Sequence, residues 1–316
     1  MNIMKAIILK EAGGPENLII SDIPVPLPKK GEVLIKVKAI SINPVDIKTR
    51  KGLALYNSLK GDKPVILGWD IAGEVVQAGE EVTTLEEGDE VFGMVNFPGH
   101  GKAYAEYVAV PAGHLAEKPE LVSTQEAVAG TLAALTAWQV LLDEAKLQAG
   151  EKVLIHAAAG GVGHFAVQIA KYLGAYVIGT ASEANYDFVK ELGADDFVDY
   201  SKEKFEELVK DADVVFDTVG GDNPLRSLNV LKEGGRLVAI AGGITDEVKQ
   251  LAETRKIKAW PYLVKSNGDD MEQIAELMEA GTIKAHISKE FSFGEIAEAH
   301  RQIETGKTRG KIVVVL

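Results

Sequence analysis

The sequence has 316 residues, of which 46% are hydrophobic, and this length suits two domains with separate cores better than one. Its 34 basic and 47 acidic residues give a net charge of −13, which repels nucleic-acid phosphates and anionic lipid headgroups and argues against both as partners. The lack of cysteine excludes disulfides, thiolate nucleophiles and cysteine-bound zinc, and it fits a reducing compartment.

The N-terminal stretch "MNIMKAIIL" has no basic region followed by a long apolar run, so it is unlike a secretory signal. No segment reaches the roughly 20 consecutive apolar residues that a membrane span needs. We therefore expect a cytoplasmic protein.

The first part of the chain contains short alternating segments bounded by proline and glycine, such as Glu32–Ile42 and Ala72–Gly79, which predict half-buried β-strands. From about Thr124 the pattern changes to that of a long apolar helix, "STQEAVAGTLAALTAWQVLLDEA". Ser123 or Thr124 can cap this helix, and Glu126 lies in its first turn. We place a domain boundary at this point.

After Gly150, short apolar strands alternate with helices. The predicted strands are Val153–His156, Tyr176–Gly179, Asp196–Tyr200, Asp213–Asp217 and Arg236–Ala241. Nearly continuous apolar strands separated by helices imply a parallel sheet covered on both faces, so this part is predicted to be a doubly wound α/β domain. In the tail, "MEQIAELMEAG" and "EIAEAHRQIETG" predict helices, and His286–Phe293 and "KIVVVL" predict strands that fold back onto one of the two domains.

The run "AAAGGVG" follows a predicted strand and opens a predicted helix. It matches the pattern G-x-G-x-x-G with Ala158, Gly160 and Gly163 in the three glycine places. Gly160 would let the backbone approach a pyrophosphate, Gly163 would let the helix pack on the strand, and the helix N-terminus would offer N–H groups to the anion. In a strand–helix–strand unit this pattern predicts a dinucleotide site. A turn that serves only helix packing is the alternative.

The end of the next strand carries no acid. An NAD-preferring site has Asp or Glu roughly twenty residues after the glycines, where the carboxylate binds the ribose 2′-hydroxyl. Here that place is Ala181. Ser182, Asn185 and Tyr200 can instead donate hydrogen bonds to a 2′-phosphate. We therefore predict NADP(H) as the cofactor, although no Arg or Lys lies in this loop and Lys171 in the preceding helix is expected to be solvated.

Several segments, in this order along the chain, resemble the zinc-free quinone oxidoreductase group of the medium-chain dehydrogenase/reductase superfamily. They are "SINPVDIKTRKG", "GWDIAGEVVQAG", "EEGDEVFG", "GTLAALTAWQVL", "AAAGGVG", "ELGADDFVDY" and "GKIVVVL". The stretch "NPVDIKTRKG" and the tail are most similar to its alkenal/enone oxidoreductase branch. The resemblance implies a GroES-like, mostly β substrate domain over residues 1–124, completed by residues 265–316. It also implies a Rossmann NADP(H)-binding domain over residues 125–264, a cleft where the domains meet and, as in many relatives, a homodimer.

The resemblance further implies a site without metal. Zinc alcohol dehydrogenases of the superfamily have a cysteine ligand where this chain has Asn43, and a His-Glu pair where it has Trp69 and Asp70. The segment Asn96–Gly101 lacks the four cysteines of a structural zinc site, and the histidines lack the spacing of a metal-binding helix. A zinc dehydrogenase is therefore the disfavoured alternative.

Chemistry without zinc favours an activated substrate. An α,β-unsaturated carbonyl accepts hydride at its β-carbon and forms an enolate that a few hydrogen-bond donors can stabilise, whereas a simple ketone needs a Lewis acid. We expect an NADPH-dependent reductase of small-molecule enones, enals or quinones. The alternatives are reduction of an enoyl thioester and a non-catalytic NADPH-binding protein.

By family position, Asn43 and Thr136 should lie beside the nicotinamide, and Tyr56 is the candidate donor to the substrate oxygen. Each has a structural alternative: a turn for Asn43, an ordinary helix residue for Thr136 and a packed loop for Tyr56. Asp46 is expected to fix the local backbone. The predicted cofactor contacts are Asn43, Thr136, Ala159, Gly160, Gly161, Val162, Gly163, Thr180, Ser182, Asn185, Tyr200, Val219, Ala241, Gly242, Gly243 and Lys311.

Overall fold

The structure is a computed structural model that describes residues 2–316. The chain forms two units: the first contains the chain up to Leu135 together with Lys265–Leu316, and the second contains Thr136–Val264. This division lies later than the predicted boundary after residue 124, because the helix that begins at Thr124 packs on strands of the first unit.

The strands are, in chain order, β1 (Ile3–Leu9), β2 (Leu18–Pro24), β3 (Glu32–Ile42), β4 (Asp70–Ala78), β5 (Glu90–Met94), β6 (Tyr107–Pro111), β7 (Ala116–Glu117), β8 (Lys152–Ile155), β9 (Tyr176–Ala181), β10 (Asp196–Asp199), β11 (Ala212–Asp217), β12 (Leu231–Ala239), β13 (Lys258–Pro261), β14 (Ile287–Ser292) and β15 (Lys311–Val315). The α-helices are α1 (Pro44–Arg50), α2 (Tyr56–Leu59), α3 (Thr124–Ala129), α4 (Leu132–Trp138), α5 (Gly163–Tyr172), α6 (Tyr186–Glu191), α7 (Phe205–Leu208), α8 (Asn223–Ser227), α9 (Asp246–Thr254), α10 (Gly268–Glu279) and α11 (Ile296–Glu304). Within residues 2–316, no helix is long and apolar enough to cross a membrane.

The first unit is built on a mostly antiparallel sheet with the strand order β14-β15-β3-β4-β5-β7. The long strand β3 pairs with β6 along its first half and with β15 along its last residues. The tail of the chain therefore joins the first unit through β15. The inward faces of these strands supply a core of aliphatic side chains that includes Ile35, Ile40, Ile71 and Val91.

The second unit contains a six-stranded sheet with the order β10-β9-β8-β11-β12-β13, and all its pairs are parallel. Numbered from β8, this is the order 3-2-1-4-5-6 of the doubly wound nucleotide-binding fold, so the predicted α/β class is confirmed. The sequence pattern did not predict β13, an edge strand whose residues are only exposed or half-buried. In such a sheet the loops that follow the strands meet at the carboxyl edge, which is where ligands bind.

The sequence predicted one continuous apolar helix at the domain boundary, but this prediction is wrong, because the structure has two helices there. Helix α3 ends at Ala129, and α4 begins only at Leu132. At the start of α4, the Leu132 N–H donates to Asp70 Oδ1 at 3.0 Å. A Cβ on Gly130 would lie 2.8 Å from Met278 Sδ, so glycine permits the close approach of α10 at the break. Partners that are distant in sequence thus interrupt the helix.

The predicted N-terminal cap of α3 is confirmed. The Glu126 N–H donates to Ser123 Oγ at 3.2 Å, and the Ser123 N–H donates to Glu126 Oε2 at 3.1 Å, which is a reciprocal capping box. We expect Ser123→Ala to lower the free energy of unfolding by about 1 kcal/mol, because an N–H of the first turn loses its acceptor. Urea unfolding measures this change. As a control, Thr124→Ala should change it by no more than about 0.5 kcal/mol, and an equal loss in both variants would contradict the cap.

Candidate active site

The glycine turn joins β8 to α5 at the carboxyl edge of the parallel sheet. A Cβ on Gly163 would collide with the Ala157 carbonyl oxygen, so only glycine lets α5 begin against this turn. Gly160 is less confined, since its Cβ would lie 3.1 Å from the same oxygen. The Ala158 N–H donates to Thr180 O at 2.8 Å and ties the turn to the end of β9. The predicted residues Ala159, Gly160, Gly161 and Val162 lie in this turn, directly before α5.

Two more glycine turns lie at the same edge, after β11 and after β12. Gly220 and Gly242 have φ values of 77° and 72°, which favour glycine. A Cβ on Gly220 would lie 2.6 Å from Ala241 O, so the two turns are in contact. The Asp217 carboxylate accepts the Gly220 N–H at 2.9 Å and fixes the first of them. The predicted residues Val219 and Gly243 belong to the same two turns. Turns of glycine expose backbone N–H groups at this edge, and such groups can bind the phosphates of a dinucleotide.

The residues predicted to bind a 2′-phosphate lie at the ends of two neighbouring strands. In the parallel pair of β9 and β10, Ala181 lies opposite Asp199. The Tyr200 N–H donates to Ala181 O at 3.3 Å, and Asn185 Nδ2 donates to Ser182 Oγ at 3.0 Å. The structure thus brings together Ser182, Asn185 and Tyr200, which the sequence places in two separate loops.

Sequence reasoning missed a cation at this position. The Lys202 ammonium lies 2.5 Å from Glu183 Oε2, and Glu183 directly follows Ser182. The prediction considered a basic residue only in the loop after β9 and in the helix before it, whereas Lys202 follows β10. β9 and β10 are neighbouring parallel strands, so the loops after them meet at the same edge of the sheet. A basic residue in the loop after β10 was therefore the signal that could have identified Lys202.

In the first unit, Asn43 is the N-cap residue directly before α1, and both its backbone and its side chain are hydrogen-bonded. Its N–H donates to Asp46 Oδ2 at 2.6 Å, which is the backbone-fixing role predicted for Asp46. The side-chain Nδ2 donates to Asp70 Oδ2 at 2.7 Å, and Lys311 Nζ donates to the side-chain Oδ1. Both ends of the amide are therefore bonded, and its orientation is fixed.

Asp70 is completely buried and is surrounded by donors. Its Oδ2 accepts from Ser41 Oγ at 2.6 Å as well as from Asn43, and its Oδ1 accepts the Leu132 N–H at 3.0 Å. Lys311 Nζ lies 3.8 Å from Oδ2 and supplies the opposite charge. These partners compensate the loss of water around the carboxylate.

Lys311, predicted as a cofactor contact, lies inside the first unit with 3% exposure. Besides Asn43, its Nζ donates to Ile42 O at 3.3 Å. Burial lowers the pKa of Lys311 below its usual range, while the carboxylates of Asp70 and Asp46 oppose the shift. In this position the ammonium holds the Asn43 amide.

The other two predicted catalytic residues belong to other elements, Tyr56 to α2 and Thr136 to α4. Tyr56 begins α2, is half-buried and packs against the core of the first unit. In the described residues, neither Asn43 nor Lys311 has a hydrogen bond to it. Thr136 lies in α4, is 3% exposed and belongs to the second unit.

Two of the buried histidines, His156 and His300, contact polar side chains of the protein. His156 contacts Thr180 Oγ1 at 3.2 Å and Ser227 Oγ at 3.1 Å, and His300 contacts the Tyr104 hydroxyl at 3.0 Å. Burial lowers the pKa of His156 and of His300 to about 3, so both are neutral. In the part of the chain that the structure describes, no three His, Cys, Asp or Glu side chains are grouped to hold a metal ion.

Asp46 is a buried carboxyl with an unusual affinity for its proton. Burial raises the pKa of Asp46 to about 7, although the hydrogen bond from the Asn43 N–H opposes the shift. The Asp70 carboxylate adds to the rise in the pKa of Asp46, while the Lys311 ammonium and the Tyr104 hydroxyl oppose it. The folded state thus binds this proton more tightly than the unfolded state. The stability contribution of Asp46 therefore falls as pH rises from 3.8 to about 7 and is constant above that range.

We expect Asp46→Asn to flatten this pH dependence, because an amide oxygen still accepts the Asn43 N–H and does not ionise. Between about pH 5 and about pH 8, the original protein should lose about 2 kcal/mol of unfolding free energy relative to the variant. Urea unfolding of both proteins at the two pH values measures the difference. Parallel pH profiles would contradict the raised pKa.

Comparisons with known proteins describe both units. Residues 29–120 match the family model of the alcohol dehydrogenase GroES-like domain, and residues 192–314 match that of zinc-binding dehydrogenase. The chain is 36% identical to the 2-methylene-furan-3-one reductase of Solanum lycopersicum, over 93% of this chain and 74% of that protein. It is 36% identical to the chloroplastic NADPH-dependent alkenal/one oxidoreductase of Arabidopsis thaliana, over 98% of this chain and 79% of that protein.

Among solved structures, the quinone oxidoreductase from Coxiella burnetii matches 100% of both chains with a TM-score of 0.94 and 38% identity. The predicted GroES-like and Rossmann fold is confirmed by these matches and by the strand order of the second unit. The chain belongs to the quinone oxidoreductase group of the medium-chain dehydrogenase/reductase superfamily.

Proposed function

We propose that the chain reduces the C=C bond of α,β-unsaturated carbonyls with NADPH, with quinones as the nearest alternative acceptor. It is an oxidoreductase, and its relatives include proteins named for alkenals, for a methylene-furanone and for quinones. The observation that carries the acceptor class is the Asn43 amide, held by Asp70 and Lys311 at the position where zinc dehydrogenases of the superfamily have a ligand.

NADP(H) is the cofactor, and the carboxyl edge of the second unit fits it. When bound, its nicotinamide supplies the hydride. We propose that the turn Gly160–Val162 binds the pyrophosphate through backbone N–H groups, because the helix that follows contributes a favourable dipole. The backbone of Ala241–Gly243 would hold the carboxamide. At Ala181, the lack of a carboxylate removes the charge that would repel a 2′-phosphate.

A fixed amide suits a conjugated acceptor. Asn43 Nδ2 carries two N–H donors, and the bond to Asp70 uses one of them. We propose that the second donates to the substrate oxygen as negative charge develops there. A preorganised donor in a buried site stabilises an enolate, in which the charge is delocalised. A saturated ketone would place full charge on one oxygen and would need a stronger electrophile.

The first test follows NADPH absorbance in parallel with a small enone, a quinone and a saturated ketone. We expect oxidation of NADPH by the enone with formation of the saturated ketone, and none with the saturated ketone itself. Turnover of the quinone alone would move the assignment to the quinone branch. Tight NADPH binding without turnover of any acceptor would favour a non-catalytic NADPH-binding protein and would contradict the proposal.

Gly160→Asp tests the proposed pyrophosphate site. The added carboxylate would repel the pyrophosphate, so we expect NADPH affinity to fall by at least about 100-fold, as for a charge left beside a like charge in a binding site. Calorimetric titration measures the affinity, and thermal unfolding shows whether the variant folds. Gly160→Ala is the matched control, because it adds a Cβ without a charge; this Cβ would lie 3.1 Å from Ala157 O and 3.9 Å from Ala157 Cβ. Unchanged NADPH binding by the Asp variant would refute this location.

The homodimer implied by the resemblance and the cytoplasmic location expected from the sequence complete the proposal. Light scattering on purified protein tests the dimer, since a monomeric mass at assay concentration would contradict it. Cell fractionation tests the location.

A further inference from the structure

The turn after β10 brings a lysine to the loop after β9. The Lys202 ammonium contacts Glu183 Oε2 at 2.5 Å and lies 3.9 Å from Asp199 Oδ2. Glu183 stands one residue after Ser182, beside the position where an NAD-preferring site has its acid. The pair of Lys202 and Glu183 therefore lies where the two nicotinamide cofactors differ, at the ribose 2′-position.

The backbone of this turn is anchored to the sheet. Asp199 Oδ1 accepts the Ser201 N–H at 3.0 Å and the Ser201 hydroxyl at 2.6 Å. The Tyr200 N–H donates to Ala181 O at 3.3 Å, and the Lys202 N–H donates to Asp199 O at 3.1 Å. The backbone of Lys202 is thus anchored next to β9, which keeps its ammonium within reach of the loop after β9.

The ion pair itself is easily exchanged. The side chains of Lys202 and Glu183 are 58% and 70% exposed, and pairs of this kind contribute little net stability. Hydrogen bonding to Glu183 raises the pKa of Lys202, so the lysine is a cation at neutral pH. A phosphomonoester carries nearly two negative charges at neutral pH and accepts through three oxygens, which makes it a stronger partner than one carboxylate.

We propose that Lys202 recognises the 2′-phosphate of NADP(H) by exchanging Glu183 for the phosphate, an inference that rests on the proposed cofactor. Ser182, Asn185 and Tyr200 lie at the same two strand ends and add hydrogen-bond donors. Glu183 competes for the ammonium in the free protein and repels the phosphate in the complex. The preference for NADPH then depends on the cation Lys202, in the turn after β10. Competition from Glu183 limits how strong that preference is.

Calorimetric titration tests this with two matched pairs of ligands, NADPH with NADH and 2′,5′-ADP with ADP. We expect Lys202→Ala to weaken NADPH and 2′,5′-ADP by about 10-fold or more, as for loss of one charge-assisted hydrogen bond, and to leave NADH and ADP within about 2-fold. Lys202→Arg should keep most of the preference. Glu183→Gln should tighten NADPH and 2′,5′-ADP a few-fold, because the competing carboxylate is removed.

Lys204→Ala is the control for a general loss of positive charge, since Lys204 lies in the same segment and pairs with Glu207 at 3.1 Å. It should change no affinity by more than about 2-fold. Two results would contradict the role of Lys202 without affecting the proposed function. One is an equal loss of affinity for NADPH and NADH in Lys202→Ala, and the other is no loss of NADPH affinity in that variant. Failure of the original protein to bind NADPH would instead overturn the proposed cofactor, and this inference with it.

Discussion

The buried carboxylate of Asp70 is the interaction on which the first unit depends. It bonds Ser41 at the end of β3, the Asn43 side chain at the start of α1 and the Leu132 N–H at the start of α4. Lys311 on β15 lies 3.8 Å away and balances its charge. One carboxylate thereby joins the β3–α1 junction, the start of α4 and β15, three places that the sequence separates widely. Removing one partner of such a buried pair costs about 3–5 kcal/mol, because the remaining charge has no water to solvate it.

The same network determines what Asn43 can do. An asparagine side chain on the surface rotates freely, but here one end of the amide donates to Asp70 and the other accepts from Lys311. The amide therefore has one orientation before any substrate arrives, and preorganised dipoles stabilise developing charge without a cost of reorientation. A neutral donor of this kind is adequate for an enolate and weak for an alkoxide. This difference is the physical basis for proposing a conjugated acceptor.

The second unit builds its ligand edge differently, mainly from backbone. The turns after β8, β11 and β12 are rich in glycine, and their close contacts leave no room for a Cβ at Gly163 or Gly220. The polar side chains of Ser182, Tyr200 and Lys202 lie at the adjacent ends of β9 and β10. In the proposed complex, the glycine turns would bind the pyrophosphate that all dinucleotides share, and the side chains would distinguish the 2′-position.

Local patterns in the sequence determined much of this structure. Apolar runs predicted the parallel strands, the Ser123 cap predicted the start of α3, and the glycine spacing predicted the turn before α5, because hydrogen bonding and steric fit over a few residues decide such features. Tertiary structure alone decided the break before Leu132, which depends on Asp70 62 residues earlier, and the role of Lys311, which bonds Asn43 across 268 residues. It also decided that Lys202 lies beside Glu183, since strand pairing, and not distance along the chain, brings their loops together. Buried polar groups must find partners wherever the fold supplies them, and no local pattern in the sequence specifies which distant residue that will be.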